Sequence, residues 1–280
     1  VAGAGDNLLF WDRKTRQSLT SFKDTHAQDI TACIFAPLNP NVVISGSEDG
    51  LLAVFDLSAG LDEDEGFQAA LNIDNAVSQI GFYGKAYEKL WCTSGTETLH
   101  LWEWAAACDE KMEGGVGALA HFHDARQQLK LTPTPPPPPT NTTTAADDDD
   151  DDDDFGAVNG CDYLIGCEYI LEDDALLVAA GNNDGTAALF PVHHHHGGGG
   201  ASLGGEAAEV RLIGRGGGHV DTVRSMILCG EGYGKRSVCV TGGEDARVCL
   251  WSTTSSSGGG GSGLKAEHHR HGYLKKASPY

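Results

Sequence analysis

Basic residues are scarce in this chain. Its 280 residues hold 19 Lys and Arg against 40 Asp and Glu, for a formal charge of −21 and a pI near 4.7. Eight of the 40 acids form one run, Asp147–Asp154, and the remainder is strongly acidic without it. Phosphate binding needs a basic footprint, so direct nucleic-acid binding is not expected, the basic C-terminal tail excepted. No apolar run reaches the ~18 residues of a bilayer-spanning helix, and no membrane partner is expected. No signal-peptide pattern is visible, which carries little weight in a chain beginning at Val1 rather than Met. The eight cysteines (Cys33, Cys92, Cys108, Cys161, Cys167, Cys229, Cys239 and Cys249) never pair as C-x-x-C, which argues against a zinc site. Cys239 and Cys249 flank one hairpin turn nearly symmetrically. A disulfide there and two reduced strand thiols are both open readings, and reduced thiols suit an intracellular protein. Also missing are G-x-S-x-G, a phosphate-cradling P-loop and H-E-x-x-H. No catalytic residue, metal or cofactor is therefore expected.

What is present is a repeating pattern, most complete between His219 and Ser252. Three β-rich runs, TVRSMIL, SVCVTGG and RVCLWS, follow His219, and GEDA between the last two has the chemistry of a tight hairpin turn. Thr241 ends the second run, Asp245 sits in the turn and Trp251 lies late in the third. A half-buried Asp, His, Thr and indole N–H each need partners, and here they can satisfy one another. This order resembles the WD-repeat family, which implies that the turn Asp holds the His, the His meets the hydroxyl, and the hydroxyl reaches the Trp. The fold class implied is all-β, a WD-repeat β-propeller.

Taken in order, VAGAGDNLLFWD reads as the tail of a repeat, with a second strand, a turn at Asp6 and a third strand ending Trp11-Asp12. Its first strand and histidine are missing, which would leave a naked strand edge. The expectation is a fragment lacking N-terminal blades. SLTSF then reads as an outer strand. His26–Leu57 is the next full unit, with His26, Ser45 and Asp49 in the polar positions and Phe55 in place of the Trp, so its relay stops at Ser45. A third unit, Val77–Trp104, has Trp102 but neither a leading His nor a turn Asp, and must rely on apolar packing. Residues 105–129 read as an outer strand plus a short helical excursion. A fourth unit, 161–192, has Asp184 in its turn and Phe190 at the Trp position. The sum is four full units and one partial. Without insertions, each approaches the ~40–45 residues of a four-stranded blade. The family usually closes about seven blades into a ring, so two or more are expected to be absent before Val1.

The predicted organisation is propeller blades over 1–130, the first one partial; a Pro/Asp-rich disordered insertion over 131–154; further blades over 155–252, with a His/Gly-rich loop at 193–209; and a Gly/Ser tether with a basic tail over 253–280. The insertion joins a polyproline-like stretch to eight mutually repelling carboxylates. It reads as a tolerated low-complexity segment, or as a binder of cations or a basic partner. Four consecutive histidines, 193–196, can bind metal, but their Gly-rich flank offers no fixed geometry, and a loop expansion is the preferred reading. The tail carries Lys265, Arg270, Lys275 and Lys276 and closes with KKASPY, which resembles proline-tyrosine nuclear import signals. Nuclear residence is therefore slightly favoured over cytoplasmic, with a solubilising tail as the alternative.

Function follows from the family resemblance. A propeller presents loops on a rigid disc, and binding belongs to those loops. The implied face is built from the loops entering first strands and the turns between second and third strands. That nominates Asp29, Glu48, Asp221, Arg224 and Glu244, an acidic set suited to a basic peptide or tail, against the alternative of ordinary solvated loop charges. The expected function is a non-catalytic scaffold for protein–protein interaction. A nuclear adaptor in ribosome-assembly or chromatin complexes is the alternative, and an enzyme is disfavoured because His26 and His219 are better explained as relay members than as general bases.

Overall fold

Short runs of alternating β-branched and aromatic residues, broken by Asp/Gly turns, cannot bury both faces alone, so they fold as stacked hairpins. The computed structural model describes residues 1–108, 118–131, 160–195, 200–204, 210–212, 218–230, 237–254, 264–268 and 272–273. The Pro/Asp-rich insertion from residue 132 onward, with the residues after it through 159, and residues 255–263, 269–271 and 274–280 of the tether and tail lie outside them.

The strands assemble blade by blade. The first group holds β1 (Ala2–Ala4), β2 (Asn7–Trp11) and β3 (Ser18–Phe22), antiparallel in that order. The second holds β4 (Ile30–Phe35), β5 (Val42–Ser47), β6 (Leu51–Asp56) and, after the one-turn α1 (Glu63–Gly66), β7 (Phe67–Asn72). The third holds β8 (Val77–Tyr83), β9 (Lys89–Ser94), β10 (Leu99–Trp102) and, after α2 (Trp104–Ala107), β11 (Ala118–Phe122). The fourth holds β12 (Tyr163–Ile170), β13 (Ala175–Gly181), β14 (Ala187–His194), β15 (Ala201–Leu203) and β16 (Val210–Leu212). The fifth holds β17 (Val223–Gly230), β18 (Ser237–Gly243), β19 (Arg247–Thr254), β20 (Leu264–His268) and β21 (Gly272–Tyr273). A short parallel pairing of β16 with β20 joins the last two blades into one sheet.

Two segments differ from their sequence reading. His193 and His194 are strand residues, because β14 runs on to pair with β15. Residues 264–268, read as part of a flexible tail, form β20 along β19. The cysteines match the reduced reading: Cys239 stands opposite Trp251 and Cys249 opposite Thr241, so the two do not face each other and neither is in a disulfide.

The first strands β4, β8, β12 and β17 pack one against the next, and β1 packs on β4. Each of those four carries a register shift near its start, at Ile30/Ala32, Val77/Gln79, Leu164/Gly166 and Val223/Ser225. Such bulges bend and twist a strand, here at the same place in every blade. Separate apolar cores fill the gaps between neighbours. Between the first two groups, Leu8, Phe10, Phe22, Val43, Ala53 and Phe55 are all buried. The Phe10 and Phe22 rings meet tilted at 4.8 Å and those of Phe22 and Phe55 at 5.1 Å, so the ring at the Trp position of the second blade contributes packing where it cannot donate a hydrogen bond. Trp11, one residue along from Phe10, is exposed.

Candidate functional site

The fifth blade brings its four polar residues together. His219, Thr241 and Trp251 are almost fully buried. His219 Nδ1 lies 2.9 Å from Asp245 Oδ1 and its Nε2 lies 2.8 Å from Thr241 Oγ1, while the Trp251 indole N–H donates to the same hydroxyl at 2.8 Å. An indole can only donate, so Thr241 accepts from it and has its own proton to give His219 Nε2. That places the imidazole proton on Nδ1, facing the carboxylate. Asp245 also accepts the backbone N–H groups of Val220 (3.0 Å) and Arg247 (3.1 Å). One carboxylate thus ties the loop entering β17 to the hairpin between β18 and β19.

The second blade repeats this as far as its sequence allows. His26 Nδ1 is 3.2 Å from Asp49 Oδ2 and its Nε2 is 2.8 Å from Ser45 Oγ, and Asp49 accepts the backbone N–H groups of Ala27 and Leu51. Phe55 occupies the Trp position and ends the relay. Burial pushes both carboxyls up, but the hydrogen bonds they accept outweigh it and hold Asp49 and Asp245 below the usual carboxylate value of 3.8. A lowered native value means that this stabilisation is complete above the unfolded-state value and disappears as the pH falls through the native one, in the range below about pH 4.

The third and fourth blades use other means. By strand register, the position of Thr241 is taken by Cys92 in the third blade and by Ala180 in the fourth. Trp102 stands where Trp251 does, but Cys92 presents sulfur, and the indole N–H of Trp102 is buried without a partner. Phe190, at the Trp position of the fourth blade, is fully buried. Asp184 accepts only the N–H of Thr186 among the described hydrogen bonds. Contacts between blades replace the missing relays. Tyr163 OH accepts the N–H of Val223 at 2.7 Å, and Glu97 accepts the N–H of Leu164 at 2.5 Å. Burial outweighs that bond and raises the Glu97 carboxyl. In the second blade, Glu63 of α1 accepts the N–H groups of Lys23 and Asp24 and the hydroxyl of Thr25, fixing the approach to His26. Gly185, at φ +85°, lies against the His219 carbonyl so closely that any Cβ would overlap it. These side chains were not singled out in the sequence, because their partners lie in other blades.

The five rim residues fall beside the relays. Asp29 and Glu48 are neighbours, with the Glu48 N–H donating to the Asp29 carbonyl at 3.0 Å. The Glu244 N–H likewise donates to the Thr222 carbonyl at 2.9 Å, next to Asp221. All five are exposed. Arg224 is paired: its Nε donates to Glu244 Oε1 at 2.7 Å. Among the described residues, no group of three or more His, Cys, Asp or Glu side chains is placed to hold a metal ion.

Two outcomes follow for stability. Asp245→Ala leaves His219 without its acceptor and should cost about 1–3 kcal/mol in urea unfolding, whereas Asp49→Ala, on the longer bond and the truncated relay, should cost less. Equal losses would contradict the assignment. Cys92→Ser should supply the Trp102 indole with an acceptor and raise stability by about 1 kcal/mol, and a loss matching that of Cys92→Ala would show that the indole is not served from that position.

Comparison with known proteins agrees with this geometry. The family model described as WD domain, G-beta repeat, matches residues 16–56. The chain is 29% identical over 256 residues to WD repeat-containing protein GTS1 of Arabidopsis thaliana, covering 90% of this chain and 55% of that relative. It is 32% identical over 101 residues to the WD repeat-containing protein 89 homolog of Dictyostelium discoideum, covering 36% of this chain and 28% of that relative. The second relative carries the name of the protein that segments 26–58, 61–65, 83–92, 161–185, 217–227 and 241–252 resemble. The chain thus spans about half the length of the first relative and less of the second. In fold it resembles the crystal structure of the Myceliophteria thermophila Cps50 (Swd1) β-propeller domain, with a TM-score of 0.56 at 11% identity, covering 96% of this chain and 68% of that one. The repeat match over residues 16–56, the similar proteins and the shared fold show a β-propeller that carries a WD repeat and is similar to WD repeat-containing proteins.

Proposed function

We propose that this protein is a non-catalytic scaffold that binds basic segments of partner proteins on the acidic rim of its propeller. WD-repeat propellers generally mediate protein interactions, and the rim supplies the chemistry. The observation that carries the reading is a charge imbalance. Arg224 pairs with Glu244 and Arg126 pairs with Asp124, while Asp29, Glu48 and Asp221 are exposed and form no ion pair among the described residues. A basic segment would meet unneutralised carboxylates on loops that the Asp49 and Asp245 relays hold in place. The histidines support the same conclusion. Both ring nitrogens of His26 and of His219 are engaged within the relays, so neither is available as a general base.

A nuclear adaptor role is the second reading, and it rests on Lys265, Arg270, Lys275 and Lys276. Of these, Arg270, Lys275 and Lys276 lie outside the described residues. One experiment addresses both. The full chain, a variant lacking residues 264–280, and the rim variant Asp29→Asn/Glu48→Gln/Asp221→Asn/Glu244→Gln are used for affinity purification with mass spectrometry at two salt concentrations. Basic partners should survive deletion of the tail, weaken with salt and disappear with the rim variant. Partners indifferent to the rim variant would refute the rim, and selective loss of nuclear partners on deletion would make the tail the address.

A further inference from the structure

The first strands of the third, fourth and fifth blades enclose a part-open cavity of about 80 Å³, several times the ~10–15 Å³ that a water needs. Its wall includes Gln79 of β8, Gly166 and Glu168 of β12, and Ser225 and Met226 of β17. Neither the relays nor the rim uses them. Part of this wall is held in a specific conformation. Gly166 follows the β12 bulge at φ +150°, a conformation L side chains rarely adopt, and a Cβ there would stand 2.5 Å from the Gln79 side-chain oxygen. The Gln79 amide donates across the blades to the Ile165 carbonyl at 2.9 Å, so the oxygen of the same group lies over Gly166 as an acceptor.

Glu168 is the second observation. Burial pushes its carboxyl up to about 7, only partly offset by the Leu228 N–H. None of the ion pairs among the described residues includes it. The titratable groups that interact with it are the thiols of Cys167 and Cys239, both raised by burial and so uncharged in this range. A carboxyl that keeps its proton in the native state to about pH 7 and loses it earlier when unfolded makes the fold less stable as pH rises through that window. A half-buried carboxyl in a cleft, in no ion pair among the described residues, is the arrangement that accompanies binding sites.

We propose that this cavity receives the ε-ammonium of a lysine side chain from a bound partner, held by the Glu168 carboxylate, the Gln79 side-chain oxygen and the Ser225 hydroxyl. An ammonium has three donors for those three acceptors, and its methylene stem suits Met226 and Ala179, which also line the space. A guanidinium presents a wider planar fork, and a Ca²⁺ or Mg²⁺ ion requires more oxygen ligands than this wall offers. The inference rests on the acidic-rim reading: the rim gathers a basic segment and the cavity takes one of its side chains, in the strand that Asp221 leads into.

The test is titration of the full chain with the capped peptide Gly-Gly-Lys-Gly-Gly, followed by calorimetry or NMR, beside peptides with arginine or norleucine at the centre. The lysine peptide should saturate and the norleucine peptide should not. Affinity should fall by about tenfold or more in Glu168→Gln, the loss expected for one charge-assisted contact, and should weaken from pH 8 to pH 6 as the carboxyl regains its proton. Glu168→Gln should also melt higher than the parent at pH 8, which separates lost binding from lost folding. Undiminished binding in Glu168→Gln, no saturation by the lysine peptide, or equal binding of norleucine would overturn the cavity proposal. Loss in the rim variant with Glu168→Gln unaffected would keep the rim and reject the cavity. Loss in Glu168→Gln with the rim variant unaffected would keep the cavity and reject the rim.

Discussion

The Asp245 carboxylate is the group on which the most completely built blade depends. It is buried, and its charge is tolerable only because an imidazole and two backbone N–H groups point at it. Those donors belong to two separate segments, the loop before β17 and the hairpin between β18 and β19. Satisfying the charge therefore fixes one against the other. The chain of bonds continues through Thr241 to the Trp251 indole, so a polar requirement at the rim is met at the apolar centre of the blade. The proposed rim is placed by the same carboxylates: Asp221 and Glu244 are on the two segments that Asp245 joins, and Asp29 and Glu48 have the same relation to Asp49.

The remaining blades show what happens when members of the relay are absent. The second loses the indole and gains a row of tilted phenyl contacts running from Phe10 through Phe22 to Phe55. The third keeps an indole but has sulfur where the hydroxyl belongs, leaving one buried N–H without a partner. The fourth has Ala180 and Phe190 in those places and is tied to its neighbours instead, through Tyr163 to the fifth blade and through Glu97 to the third. Polar locking within a blade and hydrogen bonding between blades are thus interchangeable ways of meeting the same buried backbone and side-chain requirements.

Local pattern made much of this legible. Ser18–Phe22, Val42–Ser47 and Arg247 onward read as strands because their alternation and turn residues are local signals, and His26, Ser45 and Asp49 stand at spacings that only one hairpin geometry brings together. The sulfur at Cys92 was not readable as a relay defect until strand register aligned it with Thr241. Glu63, Glu97, Tyr163 and Glu168 were silent for a different reason: each acquires its role from a partner far away in sequence, and nothing in the neighbouring residues records it. His193 and His194 misled in the opposite direction, since a run of identical residues suggests a loop while the pairing of β14 with β15 continues through it.

The rim and the cavity share one physical premise, that the loops are held rigidly enough for their charges to act together. That premise rests on the relay acting as a unit. The most direct test is a double-mutant cycle between Asp245→Ala and Trp251→Phe, measured by urea unfolding. Among the described hydrogen bonds, the two groups are joined through His219 and Thr241. A connected relay predicts a coupling energy of about 0.5 kcal/mol or more. Losses that simply add would mean four independent side chains, and the rim would have no buried support to depend on.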